Sequence, residues 1–490
     1  MVYRGKLSPN CEPCRARGTK CDLARTGCSQ CSRRGIVCHG YREVSGLRVV
    51  NETDRFSRKA IRAGHQYGGD FGRQVQRQRK IVQSLPVSIL QPTLEDVANS
   101  FFFTSFVPGS HFGYLPIVSH ATALANPLTA CIRAVAVASF ASEQQNPSMM
   151  KAALKHYSIA LRETQPTMTS SSSIAAQDST IICVLLLGLF EALCHKGQAN
   201  PHNYTTHNAG ALALLELRGP ELVQTQIGYQ LFLQVSSNIR VSCIVHQKRT
   251  PPRLLSLHRR MAPFIDPADP KVRFFTILDD FAELQAVVLE NGISGSLEVA
   301  FSASRLDSRC ENMMSTIYDS SLYTTHISDH EVAFGYGREW HQYPDAHIAQ
   351  WWNSVRQTRI YLNQIILNQL DSAIYEDAEI ESDCLDMQLA AIATTQQQAA
   401  DICASVPQFA QAIHENRLQS NVAALTLVSR LFFPLCTVGI SSVVPDSMKR
   451  YAARSLWFLG TAAKFPQAVE AAKMIEDKSL DTSWVHIFHV

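Results

Sequence analysis

Two cysteine triplets of identical spacing constrain this chain more than any other feature. Between Cys11 and Cys38 the sequence reads CEPCRARGTKCDLARTGCSQCSRRGIVC, so that Cys11, Cys14 and Cys21 recur as Cys28, Cys31 and Cys38 with every position shifted by 17. An internal repeat of a C-x2-C-x6-C unit predicts two similar half-sites related by an approximate twofold axis. The other eight cysteines, Cys131, Cys183, Cys194, Cys243, Cys310, Cys384, Cys403 and Cys436, are scattered singly.

A structural zinc ion takes four ligands in a tetrahedron. One zinc would leave two of the six thiols idle, and two independent zincs would need eight ligands. Two zinc ions sharing two bridging thiolates use all six. Symmetry then gives the bridges to the first cysteine of each triplet, Cys11 and Cys28. Cys14 and Cys21 complete one metal, Cys31 and Cys38 the other. Six thiolates around two zinc ions leave two negative charges over, which the neighbouring Arg15, Arg17, Lys20, Arg33 and Arg34 offset. Three weaker readings stand beside this one: a three-bridge disulfide framework, an iron–sulfur cluster, which uses other spacings, and a single zinc with two spare thiols. His39 directly follows Cys38, too close in the chain to reach the same metal, and reads as a surface residue.

Charge divides the chain in the same place. The whole sequence carries 45 basic and 42 acidic residues, a net charge of +3. Residues 1–80 hold 18 of the basic and six of the acidic ones, a local charge of +12, so the remainder carries −9. A basic segment ahead of a larger acidic body is the footprint of a nucleic-acid binder joined to a non-binding domain, although a solvated basic tail would look alike on charge alone. The opening residues, MVYRGKLSPN, contain no apolar stretch of the kind an export signal needs, so secretion and an extracellular disulfide scaffold are not expected. The longest apolar run, Ile181 to Phe190, falls well short of the roughly 20 residues of a membrane span and predicts a buried core helix.

The cluster resembles the DNA-binding domain of the fungal binuclear zinc-cluster transcription factors, in all six cysteines, both C-x-x-C pairs and the basic run between Cys14 and Cys21. The resemblance implies two zinc ions and a short helix after each C-x-x-C. It also implies that the end of the first helix enters the DNA major groove to read a CGG-like triplet. Arg17 and Gly18, with Lys20 close by, match that reading surface. Arg15, Lys20, Arg33 and Arg34 are expected on phosphates, which position without specifying sequence. Gly18 departs from the family, which usually carries Lys there, so one donor to guanine O6 and N7 is missing, a contact worth about 1–3 kcal/mol of discrimination. The loop DLARTG also lacks the usual proline, Thr26 standing in its place, and Gly27 is expected to make the turn.

The following HGYREVSGLRVVNETDRFSRKAIRAG resembles the extension after the cluster in one large subgroup of these regulators. Asn51 or Thr53 is expected to cap a short basic helix there. Residues 64–91 read as a flexible tether, with RQVQRQRK a candidate nuclear-import signal. Val75, Val82 and Leu85 do not sustain the heptads of a dimerising coiled coil.

From Thr93 onward, caps and prolines followed by apolar residues three to four apart predict helices, among them 175–194, 204–217, 224–246, 347–370, 385–412, 421–435 and 446–463. Alternating strand patterns are scarce. The stretch from Thr206 to Leu254 resembles the α-helical regulatory, or middle homology, region of the same regulators, with His207, Gly210, Leu215, Arg218-Gly219, Phe232 and Pro252 at its pattern positions. Gly219-Pro220 reads as a helix stop, and Leu212, Leu215 and Phe232 as packing residues.

The expected architecture is a small zinc-stabilised binuclear cluster domain followed by a large all-α domain. Residues 8–42 form the cluster, 43–92 a basic extension and linker, and 93–490 the α-helical regulatory domain. No hydrolase elbow, zinc-protease helix, phosphate loop or dinucleotide fingerprint occurs, and Gly335-Tyr336-Gly337 is only a fragment of one, so no catalytic residue is expected. His111, His120, His207 and His246 show no partners in the sequence. Six acids between Glu376 and Asp386, interleaved with Ile380 and Leu385, read as a solvated loop between helices, with a transactivation segment as the functional alternative.

The resemblance implies a nuclear, sequence-specific DNA-binding regulator of RNA polymerase II genes, such as a pathway-specific regulator of a metabolite gene cluster. Its partners would be double-stranded DNA and the transcription machinery, with no membrane; a monomer and a homodimer made by the helical body both remain open. The alternative is a zinc-cluster co-regulator that acts through protein or effector contacts of the body, with weak DNA specificity because of Gly18.

Overall fold

The computed structural model describes residues 10–24, 26–41, 92–121, 127–169, 177–194, 201–317, 323–376, 381–415, 417 and 420–480. The basic extension, the candidate import signal and the tether expected between 43 and 91 lie outside these residues. The chain divides into two compact units, Met1–Gln91 and Pro92–Val490.

In the first unit, α1 (Glu12–Ala16) and α2 (Ser29–Ser32) each follow the opening cysteine of a triplet. Cys11 and Cys28 are both extended at the N-cap, with ψ of 155° and 144°, so each turns the chain into its helix in the same way. The Asp22 carboxylate accepts hydrogen bonds from the backbone N–H of Ser29 at 3.1 and 3.2 Å, satisfying a donor at the start of α2. Tyr41 closes the unit by donating to the Ala24 carbonyl at 2.5 Å.

The second unit is mostly helical. Its first core is built by α3 (Leu94–Phe101), α4 (Leu115–Ala121), α5 (Pro127–Glu143), α6 (Pro147–Thr169), α7 (Asp178–Cys194), α8 (Pro201–Arg218), α9 (Gln226–Val245) and α10 (Pro252–Met261). Thr93 and Asp96 form a reciprocal capping box on α3. As expected from its unbroken apolar run, α7 buries every residue from Ile181 to Phe190. Gly188 on α7 admits α8: a Cβ there would lie 3.2 Å from Cβ of His207. Gly219 stops α8 at φ +71°, and Leu212, Leu215 and Phe232 are buried core residues.

A second core joins α11 (Pro270–Asn291), α12 (Leu297–Ser315) and α13 (Ala346–Glu376). A third joins α14 (Glu381–His414), α15 (Asn421–Ile440), α16 (Asp446–Ala462) and α17 (Pro466–Glu476). By length and composition α15 could cross a membrane. Leu431, Phe432, Leu435, Cys436 and Val438 instead bury it against its neighbours, which assigns it to the core.

Several details differ from the sequence reading. Helices α4, α10, α11, α12 and α17 are absent from the sequence reading, although Asp269 caps α11 and Gly292 ends it at φ +56°. The body is not wholly α. Strands β1 (Thr324–Ile327) and β2 (Glu339–Gln342) pair antiparallel, Thr324 opposite Gln342 and Ile327 opposite Glu339, and β2 packs on α14. Gly335-Tyr336-Gly337 belongs to the connection of this hairpin, with Gly337 at φ +84°. The acidic stretch does not stay in a loop beyond residue 380, because α14 begins at Glu381 and runs through Asp386. Carboxylates are favoured in the first turn of a helix, whose N-terminus carries partial positive charge.

Two of the histidines without visible sequence partners also find them. His207 Nε2 stands 3.1 Å from Glu191 Oε1, a carboxylate that also accepts from the Tyr157 hydroxyl, and His246 Nδ1 lies 2.7 Å from the Ser242 carbonyl. These pairings cross between helices or span one turn, so no linear motif announces them.

Candidate metal centre and nucleic-acid surface

Helices α1 and α2 end in the same way, and that symmetry shapes the site. After α1 the N–H of Gly18 donates to the Arg15 carbonyl (3.2 Å) and that of Thr19 to Cys14 (3.0 Å). After α2 the N–H of Gly35 donates to Ser32 (3.1 Å) and that of Ile36 to Cys31 (3.0 Å). This paired bond pattern is a Schellman stop, and it places its glycine in the left-handed region, φ +66° at Gly18 and +62° at Gly35. Gly18 and Gly35 are themselves 17 apart. The repeat is therefore C-x2-C-x3-G-x2-C, written twice in the sequence.

This backbone brings the six thiols together. Sγ of Cys11, Cys14, Cys21 and Cys28 lie within 4.8 Å of one another, and so do those of Cys11, Cys28, Cys31 and Cys38. The two groups share Cys11 and Cys28. Measured separations are 3.6 Å for Cys11–Cys28 and for Cys14–Cys28, 3.7 Å for Cys11–Cys31 and 3.8 Å for Cys21–Cys11. A tetrahedron with zinc–sulfur bonds of about 2.3 Å has its sulfurs about 3.8 Å apart, so the donor set has the size and the chemistry for zinc. The Cys31 N–H donates to Sγ of Cys28 at 3.4 Å, a contact that favours a thiolate.

Burial pushes the Cys11 thiol well above its ordinary range and that of Cys28 up to about 12. The backbone N–H of Cys28 draws the half-buried Cys38 down to about 7. Thiolates at the buried centre thus need a cation beside them, and a divalent metal would supply it.

Around the cluster, Arg17, Gly18, Lys20, Arg33 and Arg34 are exposed, while Arg15 is half-buried. Arg17 and Arg34 occupy equivalent places, each immediately before a helix-stopping glycine. Lys20 has no basic counterpart, since Val37 stands at its equivalent and is exposed. Gly27 turns the chain between the halves at φ +112°, in the loop where it was expected to, and His39 is exposed. In the body, seven of the eight single cysteines are buried and Cys194 is half-buried, an arrangement that suits packing.

Residues 102–244 match the family model of the fungal specific transcription factor domain. This span runs from the turn after α3 almost to the end of α9, and it supplies most of the first core. That family is one of transcription factors and not of enzymes. No curated protein and no solved structure matches the chain. Residues 102–244 are thus similar to a fungal specific transcription factor domain, and they follow a six-cysteine cluster compatible with zinc.

Proposed function

We propose that the protein is a nuclear, sequence-specific DNA-binding regulator of RNA polymerase II genes, of the fungal zinc-cluster type. The observation that carries this reading is the pair of thiol tetrads sharing Cys11 and Cys28, in the same chain as a fungal specific transcription factor domain. In this reading Cys11, Cys14, Cys21 and Cys28 hold one zinc and Cys11, Cys28, Cys31 and Cys38 a second. The metal supplies the folding energy of a unit too small to fold on apolar burial. Arg15, Lys20, Arg33 and Arg34 dock on phosphates, and Arg17, at the end of α1, probes base edges in a CGG-like site. The helical body supplies regulation and contacts with the transcription machinery.

A selection from random duplexes tests this directly. A recurrent motif is expected for the zinc-loaded chain and none for Cys14→Ala; sequence-specific binding by Cys14→Ala would overturn the assignment. Gly18 favours a second reading, because this exposed position at the reading surface has no side chain to donate to a base. In that reading the protein is a co-regulator working through protein or effector contacts of the body. Binding to duplexes with no enriched motif, while the zinc is in place, would select it.

A further inference from the structure

Among the described residues outside the cysteine cluster, one other group of side chains has the composition of a metal site. Glu339 and His341 are two residues apart on β2, so both leave the same face of the strand, and β2 packs on α14. Asp401 of α14 meets them there. One ligand atom from each of the three lies within 4.8 Å of the other two. His341 is buried, Asp401 half-buried and Glu339 exposed, so the group opens to solvent from one side.

Two features of the surroundings leave these ligands available. First, the nearest guanidinium does not consume the Asp401 carboxylate. Elsewhere in the body a buried arginine grips its carboxylate with two bonds: Arg240 holds Asp279 at 2.8 Å from both Nε and Nη2, and Arg359 holds Asp307 at 2.7 and 2.9 Å. Arg356 instead spends Nη1 on the Tyr343 hydroxyl (2.6 Å) and on Asn353 Oδ1 (2.9 Å). Its Nε stays 3.7 Å from Asp401 Oδ2, beyond hydrogen-bond length. Oδ1 accepts from Gln397 Nε2 at 2.8 Å, which orients the carboxylate and leaves Oδ2 as the oxygen offered to an ion.

Second, His341 is held from its other nitrogen. Nδ1 lies 3.1 Å from the Tyr343 hydroxyl. A proton on Nδ1, donated to that oxygen, leaves the Nε2 lone pair directed toward Glu339 Oε1, 3.4 Å away, as outer partners commonly orient metal-binding histidines. The opposite tautomer would have Nε2–H donate to Glu339 Oε1 across 3.4 Å, which is long for a hydrogen bond. For two ligands of one tetrahedral zinc, with bonds of about 2.0–2.1 Å, a separation of about 3.3–3.4 Å is the expected one.

We infer that Glu339, His341 and Asp401 form a further metal site, separate from the cysteine cluster, for a first-row divalent cation of the zinc class. One imidazole and two carboxylates suit such an ion, and the two carboxylates outweigh the single charge of Arg356. Water entering beside the exposed Glu339 completes the coordination. The ion ties the hairpin to α14, so binding stabilises the body by mass action.

Calorimetric titration of zinc into the full chain, with its cysteine cluster already loaded, tests the site. The wild type takes up one further equivalent, and zinc raises its thermal midpoint. Glu339→Ala and Asp401→Asn each weaken that uptake by at least about tenfold and lose the shift. Because Glu339 is exposed, Glu339→Ala keeps the test readable even if Asp401→Asn disturbs packing. Absence of a further equivalent, or a further equivalent that Glu339→Ala leaves unchanged, overturns the inference.

Discussion

Among the described residues between Asn10 and Tyr41, every fully buried side chain is a cysteine: Cys11, Cys14, Cys21, Cys28 and Cys31. Between Pro92 and Leu480, by contrast, Leu, Ile, Phe, Val and Ala fill three cores of interlocking helices. The small unit packs sulfur against sulfur at 3.6–3.8 Å, an arrangement that as thiolates would be costly away from water and that a shared cation would stabilise. The large unit gains from apolar area and needs no ion to hold its helices together. Each should therefore fail under treatments that spare the other.

The largest expected effect lies within the cluster. Because Cys11 and Cys28 belong to both tetrads, Cys28→Ala should release both metal ions and lower DNA affinity by more than about a hundredfold. Cys38→Ala removes a ligand of one tetrad only and should leave one ion bound. Native mass spectrometry of the two variants separates these outcomes, and equal metal loss from both would remove the shared-ligand account.

The next effect is confined to the other unit. Phe232, fully buried in the first core, should cost about 3–5 kcal/mol on replacement by Ala, seen as a lower thermal midpoint of the helical signal. DNA binding at temperatures where the variant is folded should match wild type. A parallel loss of DNA affinity there would show that the two units do not act separately.

Smaller effects test how the basic face meets DNA. If about five phosphates are neutralised, the log–log dependence of affinity on salt should have a slope near −4 to −5. Lys20→Ala should reduce the slope by about one while weakening all sequences alike; Arg17→Ala should instead blur one base position in a selection. A Lys20 variant that changed the preferred sequence would exchange these roles.

The smallest effects probe the repeat itself. Gly18 and Gly35 both stop a helix in the left-handed region with open space where a Cβ would go, so Gly18→Ala and Gly35→Ala should each cost the metal-bound unit about 1 kcal/mol. Clearly unequal costs, measured by chelator-driven unfolding, would mean that the halves are not equivalent.

The cluster was legible in the sequence because its information is linear: six cysteines at fixed spacing announce the repeat that brings two groups of four thiols together around Cys11 and Cys28. The core helix at Ile181–Phe190 was legible for a similar reason, as an apolar run too long for a strand. What escaped the sequence depends on contacts between distant segments. The β1–β2 hairpin is held by pairing across its connection and by α14, and four residues per strand give too short an alternation to read. Glu191 with His207, and Glu339 with His341 and Asp401, meet only because helices and strands bring them together. Gly18 is the instructive case. As a departure from a family it signified a lost base contact; beside Gly35 it is also a helix stop shared by the two halves.

Withdrawing zinc tests most directly the proposal of a metal-folded reader joined to a body whose helices pack without metal. Zinc is withdrawn from the full chain with a graded chelator while specific DNA binding and the far-ultraviolet helix signal are followed together. Binding should vanish as the ions leave the cluster, while the helix signal of α3 to α17, which supply most of the helix among the described residues, remains. Specific DNA binding that survives complete removal of zinc would contradict the account.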